Sequence, residues 1–200
     1  MKTPLTEPEP LRRRATVYRE FVRDGRATSL LATEIFAPSS PRSPALLASQ
    51  MATRYFGTLS LSFAGLVTAS ATEEGGSDAA SCGFVLHPSA AGRLPLIRLD
   101  GPRMKSRPGH ARLTYPIAGG LLVRTAVDHS GHSGSGSFSF EVMVAGASTT
   151  FAVRVDDFAA RILGCGTSLP RRLLYQGTES LVHRVWVAGF LREFVGSLPS

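Results

Sequence analysis

Hydrophobic and polar positions alternate most regularly in two adjoining segments, residues 138–145 and 150–156. A period of two gives each segment the buried face of a β-strand. The intervening Gly-Ala-Ser-Thr segment is typical of a turn. We therefore predict an antiparallel hairpin with a four-residue loop, in a register that places Val142 opposite Val153.

Shorter segments with the same period precede this hairpin. Alternation over residues 55–71 predicts a first strand, and residues 82–87 and 94–99 predict a second and a third. A longer candidate covers residues 112–124. Because proline cannot donate a ladder hydrogen bond, Pro116 should place that strand at an edge or a corner of the sheet.

The two ends of the chain follow a helical period instead. Apolar residues recur at helical spacing over residues 11–22, and a short helix is expected at residues 45–51 after a proline-rich loop. Near the other end, residues 169–175 favour a first helical piece and residues 179–195 a longer helix. That longer helix carries an aromatic stripe, so we expect it to pack on the sheet.

These elements predict one α+β domain, mainly β, over residues 1–200. Residues 1–53 would form a helical and irregular N-terminal segment that includes an N-terminal helix. Residues 54–158 would form a strongly bent antiparallel sheet or a barrel-like sheet, and residues 168–196 the packed C-terminal helix. A bent sheet is expected because the aromatic stripe needs a large apolar surface to cover it.

Charge and cysteine content limit the compartment and the partners. The net charge is +7, from 22 Lys and Arg against 15 Asp and Glu, and nearly all of the cations are arginines. The basic residues are spread along the chain and no reading motif accompanies them, so nucleic acid is not an expected partner. No apolar run is long enough to span a membrane. Only two cysteines are present, which fits a cytoplasmic protein.

A glycine-rich loop at residues 131–136 invites a catalytic interpretation but does not support one. A phosphate-binding loop needs a helix after it, and the nucleophile-elbow pattern lacks its second glycine. His129 and His132, with Asp128 beside them, have no third ligand that the sequence identifies. We expect no metal and no cofactor.

Four residues are candidates for proton transfer: Tyr115, Glu141, Glu179 and His183. Tyr115 shares a strand face with apolar residues, so its hydroxyl would enter an apolar region. Glu141 faces Arg154 in the expected register, either as a surface ion pair or as a general base in a wet cavity. Glu179 and His183 lie one helical turn apart, either as a surface pair or as an oriented base.

Three further residues are candidates for ligand binding. Arg98 and Arg112 belong to a basic stretch that could hold an acidic group at a pocket mouth, or could be a solvated loop. Trp186, on the C-terminal helix, would supply an aromatic wall.

The function predicted from these features is binding of a hydrophobic small molecule in a barrel-like cavity. The ligand is either purely hydrophobic or also carries an acidic group. If the protein is an enzyme, a shaped pocket without cofactor suits cyclisation, isomerisation or dehydration. One alternative is a non-catalytic carrier or sensor with the same cavity. The other is an interaction protein that uses its basic surface on an acidic partner. The sequence does not indicate the oligomeric state.

Overall fold

A computed structural model describes most of the chain. It covers residues 12–23, 25–36, 42–62, 67–72, 82–88, 94–124, 135–164 and 168–198, except for the side chains of residues 12–15, 60–62, 178, 179 and 182. The strands in these ranges are β1 (Arg12–Arg23), β2 (Arg26–Phe36), β3 (Val67–Ala71), β4 (Phe84–Pro88), β5 (Ile97–Leu99), β6 (Arg103–Arg107), β7 (His110–Gly119), β8 (Ser137–Ala145) and β9 (Ser148–Phe158). The α-helices are α1 (Pro44–Ser62), α2 (Leu169–Tyr175) and α3 (Leu181–Gly196), with a π-helical turn (Gln176–Ser180) between the last two.

The described strands form one antiparallel sheet in the order β1-β2-β9-β8-β7-β5-β4-β3, with β6 also beside β7. Strands β1 and β3 lie at the two ends of this order, so the described strands form an open sheet. The prediction of a mainly β protein with an antiparallel sheet, a helix in the N-terminal region and a C-terminal helix is confirmed.

The hairpin predicted from the strongest alternation is present as β8 and β9, but its register differs by two residues. Val142 pairs with Phe151 rather than with Val153, and Glu141 pairs with Ala152 rather than with Arg154. The loop is the two-residue turn Gly146-Ala147, and the φ of Gly146 is 60°. Type II′ hairpin turns require this conformation at their first loop position. A slip of two keeps every side chain on its predicted face.

The prediction of a helix over residues 11–22 is wrong, because residues 12–22 belong to an antiparallel hairpin. Strand β1 pairs with β2, and Arg23 and Arg26 close the turn. Gly25 in that turn has a φ of 72°. The dipeptide Asp24-Gly25 is a strong hairpin signal, and the neighbouring strand β2 alternates strictly between buried and partly buried positions. Pairing across the turn therefore outweighs the helical spacing in β1.

Residues 55–62 are helical rather than the start of a strand, since α1 continues to Ser62. Residues at i and i+4, such as Leu47, Met51, Tyr55 and Leu59, form its buried stripe. The alternation of apolar and polar residues that begins at Leu59 therefore lies partly in the last turn of this helix. The two-residue period is correct only from β3 onward.

The basic stretch after Asp100 is a β-hairpin rather than a loop. Strand β6 pairs with the first half of β7, and the last pair of this stretch is Arg103 with Thr114. Strand β5 pairs with the second half of the same edge of β7, from Leu99 opposite Ile117. Pro116 lies between these two stretches, where the partner strand changes. Its missing N–H group therefore removes no ladder hydrogen bond on that side.

Helices α1 and α3 cover one face of the sheet, which we call the inner face. The inner-face positions of β2, β7, β8 and β9 include Leu31, Tyr115, Phe140 and Val153, all of which are buried. Helix α3 contributes Val187, Phe190, Leu191 and Phe194 to the same core. The opposite, outer face of these strands carries mostly polar and charged side chains.

The packing of α3 gives a first prediction. Phe190 is 4% exposed and its ring centroid lies 5.1 Å from that of Tyr55. Replacing Phe190 by Ala would leave a cavity and should lower the free energy of unfolding by about 3–5 kcal/mol in urea denaturation. Val185 on the same helix is 66% exposed, so Val185→Ala should change stability by less than about 0.5 kcal/mol. Equal stability of the two variants would show that α3 does not belong to the core.

Candidate functional site

A cavity of about 370 Å³ lies between the inner face of the sheet and helices α1 and α3. This volume is within the range of small-molecule pockets. Most of its wall is apolar, and the apolar lining side chains include Phe56, Leu59, Val67, Leu86, Leu96, Ile97, Leu99, Ile117, Leu122, Phe138, Val155 and Phe158. Strands from both halves of the sheet therefore contribute to one hydrophobic cavity.

Polar side chains line one part of this wall, where β1 and β2 approach the start of α3. The Tyr18 hydroxyl and Ser180 Oγ are 2.9 Å apart and form a hydrogen bond. Glu20 and Ser29 are cross-strand partners on the same inner face, and both line the cavity. Burial raises the pKa of Tyr18, and the neighbouring Glu20 carboxylate acts in the same direction, although the hydrogen bond with Ser180 opposes that shift. Tyr18 is therefore a neutral hydroxyl group at physiological pH.

His183 lines the same part of the wall. Its Nε2 atom is buried and has no hydrogen-bond partner among the residues that the structure describes, although the residue as a whole is partly exposed. The Phe138 ring lies edge-on, 6.2 Å from the imidazole centroid. Burial lowers the pKa of His183 to about 4. The imidazole is therefore neutral at pH 7 and can act as a donor or an acceptor, according to its tautomer.

Tyr55 and Trp186 form an aromatic wall beside the polar residues. Their ring centroids are 5.8 Å apart, and Tyr55 also contacts Phe138 at 5.2 Å. Burial raises the pKa of Tyr55 far above its ordinary value, so its phenol is neutral as well. Trp186 is the only tryptophan of the chain, so its fluorescence is a specific reporter of this wall.

Two of the residues proposed from the sequence line the cavity, namely His183 and Trp186. Glu179 belongs to the π-helical turn before α3, but its side chain lies outside the described residues. The helix that carries the proposed pair is present, and it brings His183 against the sheet.

Tyr115 lies in the solid part of the core rather than in the cavity wall. Its side chain is 0% exposed, with the rings of Phe56, Phe84 and Phe140 at 5.3, 6.0 and 6.2 Å. Edge-to-face packing of this kind stabilises a core. The structure does not bring Tyr115 together with His183 in the cavity wall.

Glu141 and Arg112 lie on the outer face, on the far side of the sheet from the cavity. Glu141 Oε1 contacts His110 Nε2 at 2.6 Å, and Arg112 Nε donates to Ser139 Oγ at 3.2 Å. Arg112 also forms an ion pair with Asp156. These side chains are partly exposed, and ion pairs of this kind contribute about 1 kcal/mol or less each.

Arg98 occupies the centre of the short strand β5 and is exposed. Its neighbours Ile97 and Leu99 both line the cavity. Because side chains alternate along a strand, Arg98 points away from the cavity that its neighbours enclose.

The described residues contain no group of three or more His, Cys, Asp or Glu side chains arranged to hold a metal ion. The proposed loop residues Asp128, His129 and His132 lie outside the described residues. Among the helices described, none is both long and apolar enough to cross a bilayer.

Six lining residues with polar groups were not predicted from the sequence: Tyr18, Glu20, Ser29, Tyr55, Tyr175 and Ser180. Three of them lie on the hairpin of β1 and β2, which the helical spacing of residues 11–22 concealed. The Asp-Gly turn signal would have identified the hairpin. With that hairpin in place, alternation puts Tyr18 and Glu20 on one face.

Comparison of the chain with known protein families, with curated proteins and with solved structures found no match. The function is therefore inferred from the chemistry of the cavity itself.

The buried imidazole gives a prediction about pH and stability. The ordinary pKa of 6.5 applies to His183 in the unfolded chain and a value of about 4 in the folded protein. Between these two pH values the unfolded chain binds more protons than the folded protein. The free energy of unfolding therefore has its full value above the upper pH and falls as the pH decreases. At about 1.4 kcal/mol per pH unit, the loss attributable to His183 is about 3 kcal/mol.

This loss should disappear from the His183→Leu variant, because leucine does not titrate. Urea unfolding of the two proteins across that pH range isolates the contribution of His183, since all other groups titrate in both. Parallel stability curves for wild type and variant would contradict a buried neutral imidazole.

Proposed function

We propose that this protein binds a hydrophobic small molecule in the cavity between its sheet and helices α1 and α3. The observation that carries the proposal is the cavity of about 370 Å³ with a predominantly apolar wall. An apolar enclosure with a few polar side chains is the usual form of a small-molecule site. Desolvation of a hydrophobic ligand in such an enclosure supplies the driving force for binding.

The wall favours a ligand without negative charge. Glu20 is an acidic lining residue, and the lining contains no Lys or Arg among the described residues. The guanidinium of Arg184 lies 5.0 Å from the centre of the Tyr18 ring, but Arg184 is exposed and does not line the cavity. Arg98 and Arg112 point elsewhere. We therefore propose a neutral or cationic ligand in place of the acidic one that the basic composition suggested.

Native mass spectrometry of protein purified from its own host tests the proposal directly. We expect a co-purified hydrophobic compound that organic extraction removes. Nile red, a neutral hydrophobic dye, should then bind to the extracted protein with a rise in dye emission and quenching of Trp186. Absence of both the compound and dye binding would contradict the proposal.

Filling the cavity should abolish binding. Val155 is partly buried in the cavity wall, so Val155→Phe places a larger side chain where the ligand would lie. We expect at least a tenfold loss of Nile red affinity. The matched control is Val17→Phe, since Val17 is 44% exposed on β1 and does not line the cavity. Equal dye affinity in the two variants would place the dye elsewhere.

Catalysis in the same cavity is the second candidate, and the unpartnered Nε2 atom of His183 in the cavity wall favours it. A general base must be unprotonated at the working pH, and a neutral imidazole is the form of histidine that accepts a proton. An isomerase, cyclase or dehydratase would need such a base close to an apolar substrate. Incubation of the extracted compound with the protein tests this candidate. A product of equal mass, or of one water less, that His183→Leu does not form would support it.

The interaction-protein alternative loses one of its two supports, because the basic N-terminal helix on which it relied is the strand β1. The basic hairpin of β6 and β7 remains as an exposed surface. We assign the proposed binding to the cytoplasm on the ground of the low cysteine content.

A further inference from the structure

Two side chains of the cavity wall each carry a buried polar atom without a hydrogen-bond partner among the described residues. These atoms are Glu20 Oε1 and His183 Nε2. A buried polar atom that lacks a partner costs about 1–3 kcal/mol. Native structures contain few such atoms, and a ligand is one reason for them. Their location in the wall of one cavity points to a ligand that forms hydrogen bonds there.

Both residues belong to one cluster, which Tyr18 connects. Tyr18 and Glu20 lie two residues apart on β1, so they share its inner face. The Tyr18 hydroxyl is bonded to Ser180. Ser180 and His183 are three residues apart at the start of α3, a spacing that places them on the same side of the helix. Tyr18 and Ser180 are hydrogen-bonded to each other, so a ligand would meet Glu20 and His183.

The chemistry of these two groups defines the head of the ligand. An ionised carboxylate only accepts hydrogen bonds, whereas a neutral imidazole has one donor nitrogen and one acceptor nitrogen. We infer that the cavity takes a hydrophobic compound whose head is a hydrogen-bond donor, a hydroxyl group or a protonated amine, held by Glu20 and His183. This inference rests on the proposed function and adds the polarity and orientation of the ligand.

Either donor head carries the groups that both atoms need. A hydroxyl group donates to Glu20 Oε1 and, with the other tautomer, accepts from His183 Nε2. A protonated amine donates to both. An ether or ketone of the same shape gives no donor to Glu20, and a carboxylate ligand would meet a like charge there. The aromatic ring of Trp186 in the same wall also favours a cationic head.

The test uses four ligands with the same naphthalene body in competition with Nile red. They are 2-naphthol, 2-naphthylmethylamine, 2-methoxynaphthalene and 2-naphthoate. A hydrogen bond to a charged acceptor in a buried site corresponds to roughly a tenfold to hundredfold difference in affinity. We expect 2-naphthol, the amine or both to bind at least tenfold more tightly than the ether and the carboxylate. The better of the two donors identifies the head group.

Two variants assign this preference to the proposed atoms. Glu20→Gln and His183→Leu should each reduce the preference for the donor head over the ether to less than about threefold, while the affinity for the ether stays close to that of wild type. Glu34→Gln makes the same change on β2, outside the cavity lining, and should keep the full preference. Circular dichroism checks that each variant folds.

The comparison of the four ligands in wild-type protein does not depend on any variant. If Nile red binds but the ether matches both donors, or the carboxylate binds most tightly, the inference is overturned and the proposed function stands. The same holds if none of the four displaces the dye. A preference that survives in both Glu20→Gln and His183→Leu also overturns it. Failure of Nile red to bind at all removes the proposed function instead.

Discussion

The packing of helix α1 into the inner face of the sheet is the contact on which the other parts of the fold depend. Two consecutive residues, Tyr55 and Phe56, make the aromatic contacts of this helix. Tyr55 reaches Phe138 and Phe140 of the sheet, and also Trp186 and Phe190 of α3. Phe56 stacks on Phe84 at 3.9 Å.

This aromatic contact joins the two halves of the sheet and holds α3 against them. The same two side chains line the cavity, so the wall of the site is also the centre of the core. The side of the site that α1 forms is therefore closely packed. The polar residues lie on β1 and β2 and at the start of α3. The cavity has an apolar body and a polar end because different strands and helices form these two parts of its wall.

Sequence patterns predicted those elements whose local signal agrees with their tertiary environment. The hairpin of β8 and β9 is an example, because both of its faces alternate and one of them is buried. Its register was missed because two registers that differ by two residues bury the same face, and only the turn at Gly146 distinguishes them. Residues 12–22 show the opposite case, since pairing with β2 overrules their helical spacing.

The same reasoning accounts for the candidate site. His183 and Trp186 were identified because their helix was predicted correctly and its stripe had to meet the sheet. Tyr115 was expected at a cavity because it lies on an apolar face, but an apolar face does not reveal whether the space above it is filled by helix α1 or left open. Glu20 was missed together with its strand. Open volume depends on how the elements pack, and no local pattern along the chain records it.

The cavity also affects the folding equilibrium. A core that contains a cavity lacks some of the contacts that close packing supplies, so such a protein is less stable than its apolar content alone suggests. A compound that binds only the folded chain restores those contacts, and at a hundred times its dissociation constant it adds about 2.7 kcal/mol to the free energy of unfolding. The supply of the ligand would then control how much of the protein is folded, and through that its resistance to proteolysis.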